Sequence, residues 1–240
     1  MKPEDADRPP SAADGVRPHR AVRSFVVRAG RTTAAQERAW RESWPRFGLE
    51  TTDRPLDLSA TFGRETPRTL EIGFGNGENL VTLAASHPER DFLGIEVHRA
   101  GIGRLMLRAE ALGLANLRVI CRDAVEVLQR CICEASLDEM LLYFPDPWPK
   151  KRHHKRRIVQ PAFVALVAGR LRHGGVLRMA TDWLPYAEHM LAVAASCPQL
   201  HNLSPDNAYS PRPGSRPVTR FESRGRGLGH EVRDLAFRRV

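Results

Sequence analysis

The chain has 240 residues, of which 42% are hydrophobic, enough for one large domain with a full core or two small ones. No stretch approaches the ~20 apolar residues that a membrane span needs, and the four cysteines form neither a paired disulfide framework nor two ligand pairs at zinc spacing. A formal net charge of +9 is compatible with a polyanionic partner without establishing one.

In chain order, residues 1–20 are rich in Pro, Ala and Asp and carry no apolar signal core, which predicts a disordered tail on a cytoplasmic protein with reduced thiols. Residues 21–240 read as a single domain with basic N-terminal and C-terminal appendages. A basic, Trp-containing segment comes first, with a short helix near Thr33–Ser43. An alternation then begins. "TLEIGF" (Thr69–Phe74) is a short apolar strand, and Asn76–Ser86 is helical up to Pro88. "DFLGIEV" (Asp91–Val97) is a second strand. Arg99–Leu112 has helical spacing at Ile102, Leu105, Met106 and Ala109. "NLRVIC" (Asn116–Cys121) is a third strand and Ala124–Glu134 a helix. "LDEMLLYF" (Leu137–Phe144) is a fourth strand. Ile158–Arg172 reads as a long helix closed by a left-handed glycine in "HGG". "VLRMAT" (Val176–Thr181) is a fifth strand, and Leu184–Ser196 a helix with Pro185 in its first turn. A Pro/Arg/Gly loop, Pro205–Gly229, precedes a last strand in "EVRDLAFRR". Strand and helix alternating in this way predict a parallel sheet covered by helices on both faces, with its ligand at the carboxyl ends of the strands.

The chemistry gathers at those strand ends. Gly73, Gly75 and Gly77 form G-x-G-x-G after the first strand, where glycine permits positive φ and close backbone approach to a ligand. The dinucleotide spacing G-x-G-x-x-G is not met, because residue 78 is Glu, which disfavours a nicotinamide oxidoreductase. A pyrophosphate there would also meet Glu71 and Glu78. A cationic or zwitterionic ligand suits the loop better, and S-adenosylmethionine is one. Glu96, at the end of strand two, is placed to accept ribose hydroxyls, and Asp123, past strand three, to accept an adenine amino group. Asp146 follows strand four between Pro145 and Pro147. The prolines are expected to hold Phe144 and Asp146 extended and so to preorganise the carboxylate. Asp182 ends strand five.

The positive charge is local. Lys150 to Arg157 carries six Lys/Arg and no acid, and Tyr209 to Val240 carries eight Arg against three acids, so these windows hold +6 and +5 and leave about −2 elsewhere. Both read as footprints for phosphates. The first is expected to open the helix that follows, where cations oppose the helix dipole and phosphates would relieve the conflict. Thr219, Arg220, Phe221 and Glu222 form a mixed set suited to stacking on a base and bonding its edge.

The motifs "RSFVVRAGR", "LEIGFGNGENL", "GIEVHRAGIGRL", "YFPDPWPKKRHHKRR", "ATDWLPYAEHM" and "RPVTRFESRGRGLGHEVRDLAFRR" closely resemble those of the bacterial tRNA (guanine-N7)-methyltransferases, from about Arg23 to Val240. Positions after Gly75 and the Cys-bearing helix depart from the family pattern. The resemblance implies a Rossmann-like class I methyltransferase fold, α/β, with a mostly parallel central sheet and an antiparallel last strand. It implies an S-adenosylmethionine site at Glu71, Glu96, Asp123 and Asp146, with Asp146 also the catalytic position. It places the substrate guanosine at Lys150, Asp182 and Thr219–Glu222, and RNA at Arg152, His153, His154, Lys155, Arg156 and Arg157. The implied substrate is a guanine in the tRNA variable loop, met by a monomer or homodimer with no metal. Two rivals are weighed against it. An amino-methyltransferase carries an acid-or-amide–Pro–Pro–aromatic motif that the inserted Trp of "DPWP" interrupts. A non-catalytic RNA-binding protein on the same scaffold would have lost the cofactor acids.

Overall fold

Apolar runs that are buried on both faces pair in parallel. β1 (Arg68–Ile72), buried from Thr69 onward, pairs with β2 (Asp91–Glu96) on one side and β4 (Leu137–Tyr143) on the other. β3 (Leu117–Cys121) extends the sheet beyond β2, and β5 (Leu171–Thr181) beyond β4. β7 (Arg233–Arg239) lies antiparallel to β5, and β6 (Leu200–Asn202) closes the edge, giving the order β3-β2-β1-β4-β5-β7-β6. The order reverses between β1 and β4, which opens a crevice at their carboxyl ends. A computed structural model supplies these coordinates and describes residues 24–25, 32–51, 54–214, 216–218, 222, 229 and 231–240. The tail expected over residues 1–20 and the triplet Thr219, Arg220 and Phe221 lie outside the described residues.

Helices cover both faces. On one, α1 (Ala34–Glu42), α4 (Glu78–Ser86) and α5 (Arg99–Ala111) bury Ala39, Leu80, Ile102 and Leu105 against Phe92, Val119 and Leu141. On the other, α6 (Ala124–Arg130), α7 (Pro161–Arg170) and α8 (Leu184–Ala195) bury Leu128, Val164 and Met190 against Leu93, Met140 and Met179. Thr33 starts α1 with a capping box, its hydroxyl accepting from the Gln36 N–H while the Gln36 side chain accepts from the Thr33 N–H. Two short helices, α2 (Trp44–Phe47) and α3 (Leu58–Phe62), had no periodicity long enough to be read from sequence.

The long helix expected over Ile158–Arg172 is not formed as such. Lys151–Arg156 makes its own 3-10 helix, Arg157 and Gln160 are extended, and α7 starts at Pro161. A proline at the first helical position drives the residue before it out of the helical region. The basic run therefore stands off the first turn of α7. At the other end, α7 stops at Arg170 and the chain is already extended at Leu171, so "HGG" is not a helix cap. It sits within β5, where the register jumps from Leu137↔Leu171 to Glu139↔Val176. Gly174 takes φ 79° in that bulge, and a Cβ on Gly175 would lie 2.9 Å from the Arg172 carbonyl.

Candidate active site

The crevice is built from the glycine loop outward. Gly73, Gly75 and Gly77 all have positive φ, at 69°, 56° and 73°. The Gly73 N–H donates to the Ile95 carbonyl at 2.8 Å, which ties the loop to β2. α5 packs hard against the loop. A Cβ on Gly77 would meet the Leu105 side chain at 2.5 Å, and one on Gly101 would meet the Gly75 carbonyl at 2.1 Å. Gly101 escaped the sequence reading because its requirement is set by a neighbouring segment; the "GIG" in the first turn of a helix is the only local trace.

Glu96 ends β2 and is 5% exposed. Its Oε2 accepts from the Gly75 N–H at 2.8 Å, and its Oε1 from the N–H groups of Val97 and His98 at 2.7 and 3.1 Å. The carboxylate that was expected to meet a ribose thus also clamps the glycine loop. Glu71, 4% exposed in β1, lies beneath the floor of the crevice and accepts from Asn79 Nδ2 at 2.9 Å. Burial pushes its carboxyl up to about 7, against the Asn79 bond and with help from the Glu96 charge. Asn79 Oδ1 is buried with no partner among the described residues. An orphaned acceptor beside a buried carboxyl fits a cationic group that carries N–H donors.

Gly73, Glu96 and Asp146 line one cavity together with Ile72, Ile95 and Phe144. Asp123 lines an adjoining cleft that also takes in Lys155 and Arg156. Its Oδ1 accepts from the Val125 and Glu126 N–H groups at 2.8 and 3.2 Å and so caps α6.

Asp146 stands exposed on the turn after β4. The turn departs at Phe144 from the extended run that its prolines suggested, whereas Asp146 is not among the residues with positive φ. Phe144 and Trp148, each preceding a proline, take φ 51° and 44°. Left-handed aromatic residues are strained by about 1–3 kcal/mol each and persist only where the surroundings enforce them. Those surroundings are present. The Phe144 N–H donates to the Ala180 carbonyl at 2.8 Å, completing the β4–β5 ladder before the chain turns away. Trp148 Nε1 donates to the Ser24 carbonyl at 3.2 Å, and the Arg156 guanidinium lies 5.0 Å from the Trp148 ring.

Lys150 is exposed and precedes the 3-10 helix, whose Lys151, Arg152 and Lys155 are exposed while His153, His154 and Arg156 are half-buried. Partial desolvation and then the cations around it hold His153 below the ordinary histidine value. Arg157 does not share this face. It is 4% exposed, donates from Nε to the Pro147 carbonyl at 2.9 Å, and lies 4.8 Å from the Tyr186 ring centroid. Asp182 sits immediately after β5. Glu222 is fully buried and paired with Arg216 at 2.6 Å and Arg212 at 3.3 Å, so its carboxylate faces arginines inside the protein. Among the described residues, no group of three or more His, Cys, Asp or Glu is arranged to hold a metal ion.

Solved structures share this architecture at low identity. The 16S rRNA methyltransferase KamB superposes with a TM-score of 0.55 at 16% identity, over 81% of this chain and 99% of its own. The 16S rRNA (adenine(1408)-N(1))-methyltransferase of Catenulisporales acidiphilia, solved as a variant with its cosubstrate, gives 0.54 at 16%, over 80% and 93%. The seven-stranded sheet with its antiparallel β7 and the glycine loop at the switch point define a Rossmann-like class I methyltransferase fold. Residues 65–235 match the family described as "Putative methyltransferase". A tRNA (guanine-N(7)-)-methyltransferase of Pseudomonas syringae pv. tomato is 55% identical over 96% of this chain and 95% of its own, and one of Pseudomonas aeruginosa PAO1 is 56% identical over 95% and 93%. The chain belongs to the family of tRNA (guanine-N(7)-)-methyltransferases.

Proposed function

We propose that the protein transfers a methyl group from S-adenosylmethionine to N7 of a guanine in the variable loop of tRNA. The observation that carries this reading is identity above one half to relatives of that name over almost the whole chain, with Asp146 lining the same cavity as Gly73 and Glu96.

S-adenosylmethionine supplies an electrophilic methyl on a sulfonium. On this reading the glycine loop, Glu71, Glu96 and Asp123 hold it. The stiff Glu96 carboxylate keeps lone-pair capacity beyond its three backbone donors. Guanine N7 has a lone pair and no proton, so no general base is needed. The base gains positive charge as the methyl arrives, and Asp146 stabilises that charge and orients the ring. Lys150, Asp182 and the segment Thr219, Arg220 and Phe221 form the guanosine side, with the Glu222 carboxylate turned inward onto Arg216, and Arg152, Lys155 and Arg156 hold phosphates. Incubation with tritiated-methyl cofactor and bulk tRNA, followed by nucleoside analysis, should place the label in 7-methylguanosine. Label on adenosine or cytidine, as an amino-methyltransferase would leave, sinks the proposal.

Two results are expected of the cofactor side. Gly101→Ala should weaken S-adenosylhomocysteine binding at least ten-fold by displacing the Gly75 carbonyl, whereas Gly169→Ala, whose Cβ meets nothing within 4 Å, should not. Calorimetric titration of both variants checks this. Glu71 makes binding proton-linked. The folded protein holds its proton more tightly than the unfolded chain, so stability declines as pH rises from 4.5 to about 7. The decline amounts to as much as about 3 kcal/mol, and Glu71→Gln should remove it. A cationic cofactor held near Glu71 would favour the ionised form, so S-adenosylmethionine binding near pH 6 should release up to about one proton, read as a dependence of the binding heat on buffer ionisation enthalpy. Equal heats in unlike buffers would exclude that linkage.

A further inference from the structure

Arg216, in the loop before β7, is 1% exposed and the bulkiest of the fully buried side chains. A buried guanidinium requires hydrogen-bonded counter-charges. It has two, the Glu222 carboxylate on Nη1 at 2.6 Å and the Asp234 carboxylate on Nη2 at 3.0 Å. Its carbon lies 5.5 Å from the Tyr143 ring centroid and 5.6 Å from that of Phe144, within cation–π range. Tyr143 pairs with Ala180 across β4 and β5, and Ala180 with Asp234 across β5 and β7, so one side chain spans three strands at the crevice end of the sheet.

Two features give this cluster a role beyond packing. Phe144, whose ring faces the guanidinium, is the left-handed residue that starts the turn to Asp146, two residues on. Glu222 directly follows the Thr219–Phe221 segment of the substrate side, and Arg212 reinforces its hold by pairing with Glu222 and donating to the Arg216 carbonyl. We infer that Arg216 is a positioning residue for methyl transfer: its guanidinium fixes the Phe144 turn that aims Asp146 and, through Glu222, anchors the substrate loop to the same point. Glu222 then serves as the loop's internal anchor. The inference rests on the proposed methyl transfer at Asp146.

Arg216→Lys is the informative variant. It keeps the charge, but an ammonium is a point charge that lacks the planar fork with which the guanidinium meets two carboxylates. With both substrates saturating, kcat should fall at least ten-fold while S-adenosylhomocysteine affinity stays within two-fold. Amide hydrogen exchange should rise over residues 143–148 and 216–222 and stay unchanged over 71–81. A kcat within two-fold of wild type, or exchange raised uniformly with activity tracking the folded fraction, would overturn the inference. Exchange over 143–148 matching wild type overturns it whether or not the wild-type protein labels tRNA. Absence of label with the wild-type protein instead removes the proposed function.

Discussion

Replacing Asp146 by alanine is expected to lower the turnover rate about 10²- to 10³-fold, the range seen when a preorganised electrostatic group is removed from a developing charge. Cofactor affinity should fall much less. The cavity that Asp146 lines is also walled by Gly73, Glu96, Ile72 and Ile95, and the Glu96 clamp on Gly75 does not depend on the turn. Asp146→Asn separates charge from shape, and most of the rate loss should persist in it. Single-turnover rates measured beside S-adenosylhomocysteine titrations check both variants. Equal losses in rate and affinity would assign Asp146 a binding role only.

The second large effect concerns salt. Replacing Arg152, Lys155 and Arg156 together by alanine should reduce the slope of log affinity for tRNA against log salt by about 2 to 3, since each phosphate contact contributes roughly 0.7 to 0.9. Binding near physiological salt should weaken ten-fold or more. Arg157→Ala, from the same run, should behave differently. Its guanidinium is turned inward onto the Pro147 carbonyl and the Tyr186 ring, so the loss should appear as reduced thermal stability with the salt slope unchanged. A triple variant with the wild-type slope would end the phosphate reading of the 3-10 helix.

Much of this protein could be read from its residues, and the failures share a cause. β1 to β5 were legible because strands buried on both faces are apolar runs, and the acids at their ends stood out against glycine and proline. What was missed depends on partners distant in sequence. The +5 of the C-terminal window already subtracts Glu222, Glu231 and Asp234, but nothing local shows that Glu222 and Asp234 hold Arg216 in the interior, away from any phosphate. Gly101 matters only because α5 lies on the Gly75 carbonyl. Phe144 and Trp148 break the pre-proline rule because a ladder hydrogen bond and a guanidinium enforce one turn and contacts to Ser24 and Arg156 accompany the other. Glu222 reads as a base-edge acceptor until its arginines are seen.

The place of β7 has a consequence for how the protein is made. Its residues 233–239 enter the sheet between β5 and β6, both of which leave the ribosome earlier. Until then β5 presents a bare edge and β6 has no neighbour. The parallel half of the sheet, with its glycine loop, can assemble during synthesis, but Asp234 is required to complete the cluster under the Asp146 turn. An unfinished chain therefore lacks the carboxylate that completes that cluster, and its open strand is exposed to pairing with another copy or to capture by a chaperone.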